Sequence, residues 1–337
     1  LTLVDKIRGK NEYDAVVMFT GGKDSGYTTH ILSKELNLKV LTLTWDNGFF
    51  SEEHKDNIKQ LVENIGVDHK FISIGDDFLS EFYKNRFKNL GRFCACTQPS
   101  LFFCAPEIEK YGAPLISMGV SFGQQLALVQ NRLLFEFDED SRSIVKEMIF
   151  NEGFGVTKFR DPGFLIGSLL DIISGEYSDS MIELLRKCTA SLVNMQKAEF
   201  YVVLMSLCYD FDYNDMLRVM YSYNWTKPQG THNAGHTSCI MEKLKGHLCF
   251  QQGMLNLDYQ EISAERRWGR LSSVEFNSLE GHLHYNLELP DTVNEFFRVT
   301  RITQKEFDDV LKQKPFAQRN TPEINWSLAR KLPHGFS

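Results

Sequence analysis

The chain has 337 residues, 42% of them hydrophobic and 24% charged, which is enough for two domains with a sizeable core. Its 37 Lys and Arg residues against 44 Asp and Glu residues give a formal net charge of −7, which argues against a nucleic-acid partner. The longest apolar stretches, 164–170 and 200–208, are too short to cross a bilayer, so we expect no contact with a membrane. No signal peptide is recognisable, and seven cysteines in a chain of this length do not resemble a disulfide framework, so we expect the reducing cytoplasm.

The first part of the chain, up to about residue 150, is expected to alternate strands and helices. Continuous apolar or β-branched runs predict strands at 15–19, 38–44, 70–74 and 114–119. Apolar residues at helical spacing predict helices at 51–64, 78–88 and 98–111, the last ending at Gly112. This alternation predicts an α/β fold with a doubly wound parallel sheet, in which ligands bind at the carboxyl ends of the strands.

The second part of the chain has a different pattern. A stretch rich in Gly, Pro and charge at 150–165 indicates a domain junction, so we expect an α/β domain at 1–155 and a mainly helical domain at 156–337. Apolar periodicity predicts helices at 181–195, 199–209 and 214–223. Two later helices are indicated by capping-box pairs, Ser272 with Glu275 and Thr303 with Glu306.

The strongest chemical signal is the segment from Thr20 to Ser25, which joins the first strand to a helix. Two glycines, Gly21 and Gly22, let the main chain approach an anion closely, and the helix N-terminus presents N–H groups to it. Lys23 adds a positive charge, and the hydroxyls of Thr20 and Ser25 add hydrogen-bond donors. The spacing differs from the common P-loop, which has four residues between its glycines. The alternative interpretation is an ordinary Gly-Gly turn before a helix.

This segment resembles the PP-loop, S-G-G-x-D-S, of the ATP pyrophosphatase superfamily, with Thr20 in place of the first serine. The resemblance implies an adenine nucleotide alpha-hydrolase-like fold that cleaves ATP between the α and β phosphates, placing AMP on a carbonyl-type oxygen and releasing pyrophosphate. It further implies that ATP is bound by Thr20, Gly21, Gly22, Lys23 and Ser25, that Lys23, Asp24 and Ser25 take part in catalysis, and that Mg²⁺ bridges phosphate oxygens.

Residues at two other strand ends extend the expected site. In the superfamily the end of the second strand holds adenine through main-chain groups, here Thr44 and Trp45, and the Asp-Asn-Gly that follows resembles N-acetyl sugar amidotransferase-like proteins. Asp46 is a candidate for orienting Mg²⁺-pyrophosphate or the substrate, and the alternative is a strand-ending turn. At the fourth strand the candidates for contacts with ATP or the acceptor are Gly119, Ser121, Gln124 and Gln125; Arg132 and Arg160 are candidates for countering charge on the α-phosphorus.

Cysteine and histidine residues form a second group of candidates. Cys94 and Cys96 precede a helix, as does the Cys-x-x-Cys element of PP-loop tRNA thiolases and sugar amidotransferases, although the spacing here is Cys-x-Cys. Together with His236 and Cys239 they are candidate ligands of zinc or an iron–sulfur cluster. The alternative is that these cysteines are small buried hydrophobic residues. That is the interpretation we give to three others within helical patterns: Cys104, Cys188 and Cys208.

Taken with the resemblance, these residues predict an AMP-forming ligase that adenylates a carbonyl or amide oxygen and transfers ammonia to it. The resemblance implies a sugar-like acceptor, nucleotide-linked or N-acetylated, in surface-glycan biosynthesis. No amidase nucleophile pattern is evident, so ammonia is expected from a separate glutaminase partner; a homodimer is left open. Two alternatives remain at this point: a sulfurtransferase that uses Cys94, Cys96 and Cys239 as an iron–sulfur or persulfide site, and a nucleotide-binding module without catalysis.

Overall fold

The computed structural model describes residues 3–91, 93–94, 98–121, 123–124, 156–158, 175–198, 200–209, 212–226, 239–252, 257–267, 269–280 and 288–313. At its centre lies a six-stranded sheet with the strand order β3-β2-β1-β4-β6-β5. The strands are β1 Ala15–Met18, β2 Val40–Trp45, β3 Asp68–Ile72, β4 Leu115–Met118, β5 Val156–Lys158 and β6 Tyr201–Val203.

Of the strands in the described residues, five are parallel, and β5 pairs antiparallel with β6. In the register of the central strand, Val16 lies opposite Leu41 of β2 and Ile116 of β4. The chain builds the sheet outward from β1 to β3 and then returns to place β4 on the other side of β1. This confirms the doubly wound α/β fold, and it makes the β1–β4 boundary the switch point where such sheets bind ligands.

The strands are apolar because both faces of the sheet are covered. On one face, alternate residues of β1 and β2 pack on aromatic side chains of the following helices; the members include Val16, Met18, Leu41, Leu43, Phe82, Phe102 and Phe103. On the other face, the remaining strand residues pack on helices that precede β2 or β3; the members include Ala15, Val17, Val40, Ile31, Ile58 and Leu61. Burial on both sides leaves the strand ends as the places where polar side chains collect.

The described helices are α1 Leu3–Ile7, α2 Lys23–His30, α3 Glu52–Ile65, α4 Asp76–Leu90, α5 Gln98–Tyr111, α6 Asp179–Lys197, α7 Met205–Cys208, α8 Tyr213–Ser222, α9 Glu242–Gln251, α10 Leu257–Arg267, α11 Ser273–Glu280, α12 Val293–Thr300 and α13 Gln304–Leu311. A π-helical turn, Ile31–Glu35, extends α2. None of these helices combines the length and the apolar composition that a membrane span requires.

Three predicted helix ends are confirmed by their hydrogen bonds. Gly112 ends α5 with a left-handed φ of 58°, and its N–H donates to two carbonyls of the last turn. Thr303 and Glu306 form the expected capping box at α13, and Ser272 and Glu275 exchange the same pair of bonds at α11. These signals depend on residues three or four apart, which is why the sequence was sufficient.

The predicted helix at 199–209 is wrong. Strand β6, Tyr201–Val203, and the short helix α7 take its place. Tyr201 lies opposite Leu115, and Ser117 donates its hydroxyl to the carbonyl of Val203, so pairing with the exposed edge of β4 outweighs the helical pattern. The sheet therefore takes strands from beyond residue 155, in the part expected to be mainly helical, while the division into two domains stays a prediction.

Candidate active site

The segment of residues 20–25, which joins β1 to the first turn of α2, has a conformation that requires glycine. Gly21 has a left-handed φ of 72°, and a Cβ added there would lie 2.4 Å from Cγ1 of Ile58. Gly22 is the extended residue before α2 and gives the helix no side-chain cap. The loop, called the phosphate loop below, therefore presents main-chain groups at a helix N-terminus, the arrangement that binds anions.

The Ser25 side chain forms two hydrogen bonds with main-chain groups of this loop. Its hydroxyl donates to the carbonyl of Gly22 at 3.0 Å and accepts from the N–H of Thr20 at 3.3 Å. The end of β4 lies against the same residue, because a Cβ on Gly119 would lie 2.2 Å from Cα of Ser25. Gly119 therefore allows close contact at the switch point of the sheet, and its expected contact with ATP stays a prediction.

Lys23 supplies a buried positive charge at the loop. The residue is only 3% exposed, and its Nζ lies 2.7 Å from a carboxylate oxygen of Asp24. Burial on its own lowers the pKa of Lys23, but the carboxylates of Asp24 and Glu261 outweigh it and raise that pKa above its ordinary value. The ring of Tyr213 lies 6.0 Å from the ammonium. Lys23 is therefore a fixed cation at neutral pH.

Two glutamates of α10 that the sequence analysis did not identify also belong to this site. Glu261 is buried and bonds to the hydroxyl of Ser121, at the end of β4. Glu265 accepts from the main-chain N–H of Gly123; burial raises its pKa, against the opposing charge of Arg270. No local pattern links residue 121 to residue 261, so only the path of the chain reveals the pairing.

Gln124 contacts the same residue at the end of β4, Ser121. Its main-chain N–H donates to the hydroxyl of Ser121 at 3.1 Å, and its side-chain oxygen accepts from the N–H of Ser121 at 3.2 Å. The structure therefore places Ser121, Gln124 and Glu261 together near Lys23. The other candidates from this part of the sequence, Gln125, Arg132 and Arg160, lie outside the described residues.

At the end of β2, the main-chain groups of Thr44 and Trp45 are the ones that could contact a ligand, because both side chains are engaged in the interior. Thr44 is buried and donates its hydroxyl to the carbonyl of Phe19 at 2.7 Å. Trp45 is buried too, with its indole stacked at 5.3 Å on the ring of Phe103. Their side chains therefore stabilise the interior, which is compatible with the expected adenine contacts through the main chain.

Asp46 is engaged in structural contacts. One carboxylate oxygen accepts from the N–H of Gly48 at 3.1 Å, and the other pairs with Lys55 at 2.9 Å. This is the geometry of a strand-ending turn, the alternative interpretation of the Asp-Asn-Gly sequence. The proposed catalytic role of Asp46 stays a prediction.

A second group of side chains, called the cysteine region below, consists of Cys94, Cys239, Cys249 and Lys245. Cys94 is exposed, and the buried Arg86 donates from Nε and Nη2 to its carbonyl at 3.1 and 2.9 Å. Cys239 and Cys249 are half-buried; burial raises the pKa of the Cys239 thiol to about 12. Electrostatic interactions join all three thiols to Lys245.

Lys245 is held by carboxylates. Its Nζ lies 2.6 Å from Glu242, and their side chains are 14% and 6% exposed. Burial lowers the pKa of Lys245, but Asp258, Glu242 and the nearby Cys94 outweigh it and raise that pKa well above its ordinary value. No local sequence pattern marks Lys245, since an isolated lysine on a helix carries no signal.

The expected metal ligands are only partly described. Cys96 and His236 lie outside the described residues, and within the described ranges no group of three or more His, Cys, Asp or Glu side chains has the geometry to hold a metal ion. The metal site therefore stays a prediction. The interior position of Cys104 and Cys188 is confirmed, whereas that of Cys208 is wrong, because it lies exposed at the end of α7.

Comparison with known proteins finds distant likenesses among solved structures. No protein-family model matches the chain, and no curated protein matches it. A solved structure described as a predicted subunit of tRNA methyltransferase from Methanocaldococcus jannaschii is 14% identical, with 72% of this chain and 88% of that chain covered and a TM-score of 0.32. The U34-tRNA thiolase NcsA from Methanococcus maripaludis, solved with its [4Fe-4S] cluster, is 13% identical, with 80% and 77% covered and a TM-score of 0.35. At such values function must be argued from the residues of this chain.

Proposed function

We propose that the protein binds ATP at the phosphate loop, cleaves it between the α and β phosphates, and adenylates a carbonyl or amide oxygen. Ammonia then adds to the carbon that carries this oxygen. The observation that carries this proposal is the buried Lys23 at the N-terminus of α2, beside Gly21 and Gly22 at the switch point of the sheet. The Lys23 ammonium and the main-chain N–H groups of Gly21 and Gly22 can stabilise the negative charge of a leaving pyrophosphate.

In the first step the acceptor oxygen attacks the α-phosphorus, and the bond from that phosphorus to the β-bridging oxygen breaks. The electron pair leaves with pyrophosphate, whose growing charge is stabilised by Lys23 and the N–H groups of the phosphate loop. In the second step ammonia adds to the activated carbon, the carbon–oxygen bond breaks, and AMP leaves with the acceptor oxygen. The proton lost by ammonia passes to solvent or to a carboxylate.

Mg²⁺ fits this site by donor type, because it prefers oxygen ligands and uses one or two carboxylates together with substrate phosphates. Asp24 and Glu261 offer carboxylates next to Lys23. When bound, Mg²⁺ would neutralise charge on the phosphate oxygens. For the acceptor we propose a sugar-like small molecule in surface-glycan biosynthesis, and for the ammonia a separate glutaminase, both on the resemblance of the 44–49 segment.

A second candidate function, sulfur insertion into an adenylated acceptor, is favoured by one observation. Three cysteines, Cys94, Cys239 and Cys249, interact electrostatically with the buried cation Lys245. Thiolates are the preferred ligands of zinc and iron–sulfur clusters, and the Lys245 ammonium opposes the effect of burial, which raises the pKa of the Cys239 and Cys249 thiols. Under this alternative, Cys94, Cys96 and Cys239 hold a cluster or carry a persulfide sulfur.

One assay separates the candidates. The protein is incubated with ATP, Mg²⁺ and either ammonium or sulfide, and AMP, ADP and pyrophosphate are measured. AMP and pyrophosphate formed with ammonium, and unchanged in a Cys94→Ser variant, support amidation. Strict dependence on sulfide and loss in Cys94→Ser support sulfur insertion. ADP as the product would contradict both, and ATP binding without any product over a panel of acceptors favours the third possibility, a binding module without catalysis.

A further inference from the structure

Two consecutive carbonyl oxygens of the phosphate loop accept hydrogen bonds from ring N–H groups of distant elements. Nε2 of His54, in the first turn of α3, lies 2.9 Å from the carbonyl oxygen of Thr20. Nε1 of Trp225, just after α8, donates to the carbonyl oxygen of Gly21 at 2.9 Å. Both rings are buried, at 2% and 4% exposure, so these bonds are protected from competition with water.

These bonds set the direction of the loop's N–H groups. In a planar trans peptide the C=O and the N–H of the next residue point in opposite directions. Holding the oxygens of Thr20 and Gly21 toward the protein therefore turns the N–H groups of Gly21 and Gly22 the other way. Within the described residues, neither of those two N–H groups donates to a protein acceptor.

Without the two bonds this loop would have many conformations. Two adjacent glycines can adopt both signs of φ, so the chain itself does not select the arrangement in which both N–H groups converge. The next carbonyl along, that of Gly22, is held by the Ser25 hydroxyl and by the N–H of Gly26. The orientation of the Thr20 and Gly21 carbonyls must therefore be selected by contacts from outside the loop.

His54 is placed for this task by its own helix. Its main-chain N–H donates to the Ser51 hydroxyl, the N-cap of α3, which fixes the ring beside the loop. A carbonyl oxygen can only accept, so Nε2 carries the hydrogen. Burial lowers the pKa of His54, and the ring is neutral at pH 7.

Trp225 depends on the packing of α8 against α2. The side chain of Met220 lies against Gly26, where an added Cβ would come within 2.2 Å of its methyl carbon. The main-chain N–H of Trp225 donates to the carbonyl of Met220 at 3.1 Å, so this residue, and with it the indole, is held at the end of α8. A segment some 200 residues later in the sequence thus shapes the phosphate loop.

We propose that His54 and Trp225 are positioning residues that aim the N–H groups of Gly21 and Gly22 at the incoming phosphate chain. This inference rests on the proposed function for the identity of the ligand, a diphosphate group. It makes Trp225 part of the binding apparatus, although its indole contacts the carbonyl side of the loop and not the side to which the N–H groups point.

The test uses the full chain and four variants. Trp225→Phe keeps the ring and removes the donor, His54→Leu removes the donor, and His54→Gln restores an N–H donor. Tyr221→Phe is the matched control, because Tyr221 is exposed and its ring lies 6.0 Å from that of Trp225 without touching the loop. The measurements are ¹⁵N order parameters of the Gly21 and Gly22 amides in ligand-free protein, and the Kd for inorganic pyrophosphate well below each Tm.

We expect Trp225→Phe and His54→Leu to lower the order parameters of the two amides from about 0.85 to below about 0.6. We also expect them to weaken pyrophosphate binding about tenfold, with His54→Gln recovering most of the loss and Tyr221→Phe matching the wild type. Unchanged order parameters in Trp225→Phe overturn the inference, and so does an equal drop at glycines across the whole chain. A wild-type protein that binds no pyrophosphate contradicts the proposed function, while the order parameters still decide the positioning role.

Discussion

The phosphate loop and the cysteine region each contain a buried lysine, and the difference between the two lysines is instructive. Lys23 is the first residue of a helix, next to two glycines. Lys245 lies within α9, one turn after its partner Glu242 and beside Asp258. In both cases nearby carboxylates raise the lysine pKa despite burial. The same charge pattern therefore occurs once where main-chain N–H groups converge and once in the first turns of α9, beside the carboxylate of its first residue, Glu242.

This contrast suggests different roles. At the phosphate loop the helix N-terminus and the glycines add further positive potential, so the site favours an additional anion. At Lys245 the partner Glu242 is itself the first residue of α9, so a carboxylate already lies at that helix N-terminus and the ammonium serves to pair buried carboxylates. We therefore expect Lys245 to matter most for stability and Lys23 most for ligand binding and turnover.

The largest effect is expected for Lys245→Met. The substitution leaves Glu242 and Asp258 buried without their cation, and breaking a buried pair in this way costs about 3–5 kcal/mol of unfolding free energy. Chemical denaturation measures it. Lys59→Met is the matched control: Lys59 and Asp56 form an ion pair with the same spacing, but their side chains are 55% and 72% exposed, so a loss below about 1 kcal/mol is expected. Equal losses in both variants would remove the distinction between the two regions.

Lys23→Met should act on turnover instead. Removing a fixed charge that stabilises the leaving pyrophosphate is expected to lower the rate of AMP and pyrophosphate formation by about 10²–10³. The rate is measured under saturating ATP with the acceptor found in the assay above, and Lys59→Met again serves as the control. Wild-type turnover and ATP affinity in Lys23→Met would show that the resemblance misidentifies this residue.

A pH effect is expected at β3, the edge strand that pairs with β2. Nδ1 of His69 lies 2.9 Å from the Thr42 hydroxyl, which itself donates to the carbonyl of Asp68, and burial lowers the pKa of His69 to about 4. Between pH 6.5 and about 4 the unfolded chain binds more protons than the folded one, so stability is complete above pH 6.5 and falls as the pH drops. His69 should account for about 2 kcal/mol between pH 7.5 and pH 5.

Urea denaturation at pH 7.5 and pH 5 tests this, with His69→Gln as the comparison. The variant should show a smaller difference between the two pH values than the wild type, while the acid sensitivity due to His54, whose pKa burial also lowers, remains. An unchanged difference in His69→Gln would assign the acid sensitivity to other groups.

The smallest effect is expected for Glu261→Gln. Glu261 contributes to the raised pKa of Lys23, so it competes with an incoming phosphate for that ammonium. Removing its charge should tighten binding of metal-free pyrophosphate about three- to tenfold, as measured by calorimetry. Weaker binding in the variant would instead indicate that Glu261 supports the anion through Ser121, and the phosphate loop would then depend on the same carboxylate balance as Lys245.

Some elements of this fold follow from residues close in sequence, and others follow only from contacts between distant segments. The strand, glycine loop and helix around Gly21 follow from an apolar run, two glycines and an apolar helical repeat, all within about twenty residues. The capping box at Thr303 is likewise local. Strand β6 was mispredicted because its preference for an extended conformation arises from the open edge of β4, about 85 residues earlier in the sequence.

The sequence by itself determined a parallel α/β sheet and a glycine turn at a helix N-terminus after its first strand, because periodicity and glycine chemistry act over a few residues. Only the tertiary structure decided what surrounds that loop. Glu261 beside Lys23, and the indole of Trp225 on the carbonyl of Gly21, are contacts between residues some 200 positions apart. Such contacts depend on how whole elements pack, and no local pattern of residues encodes them.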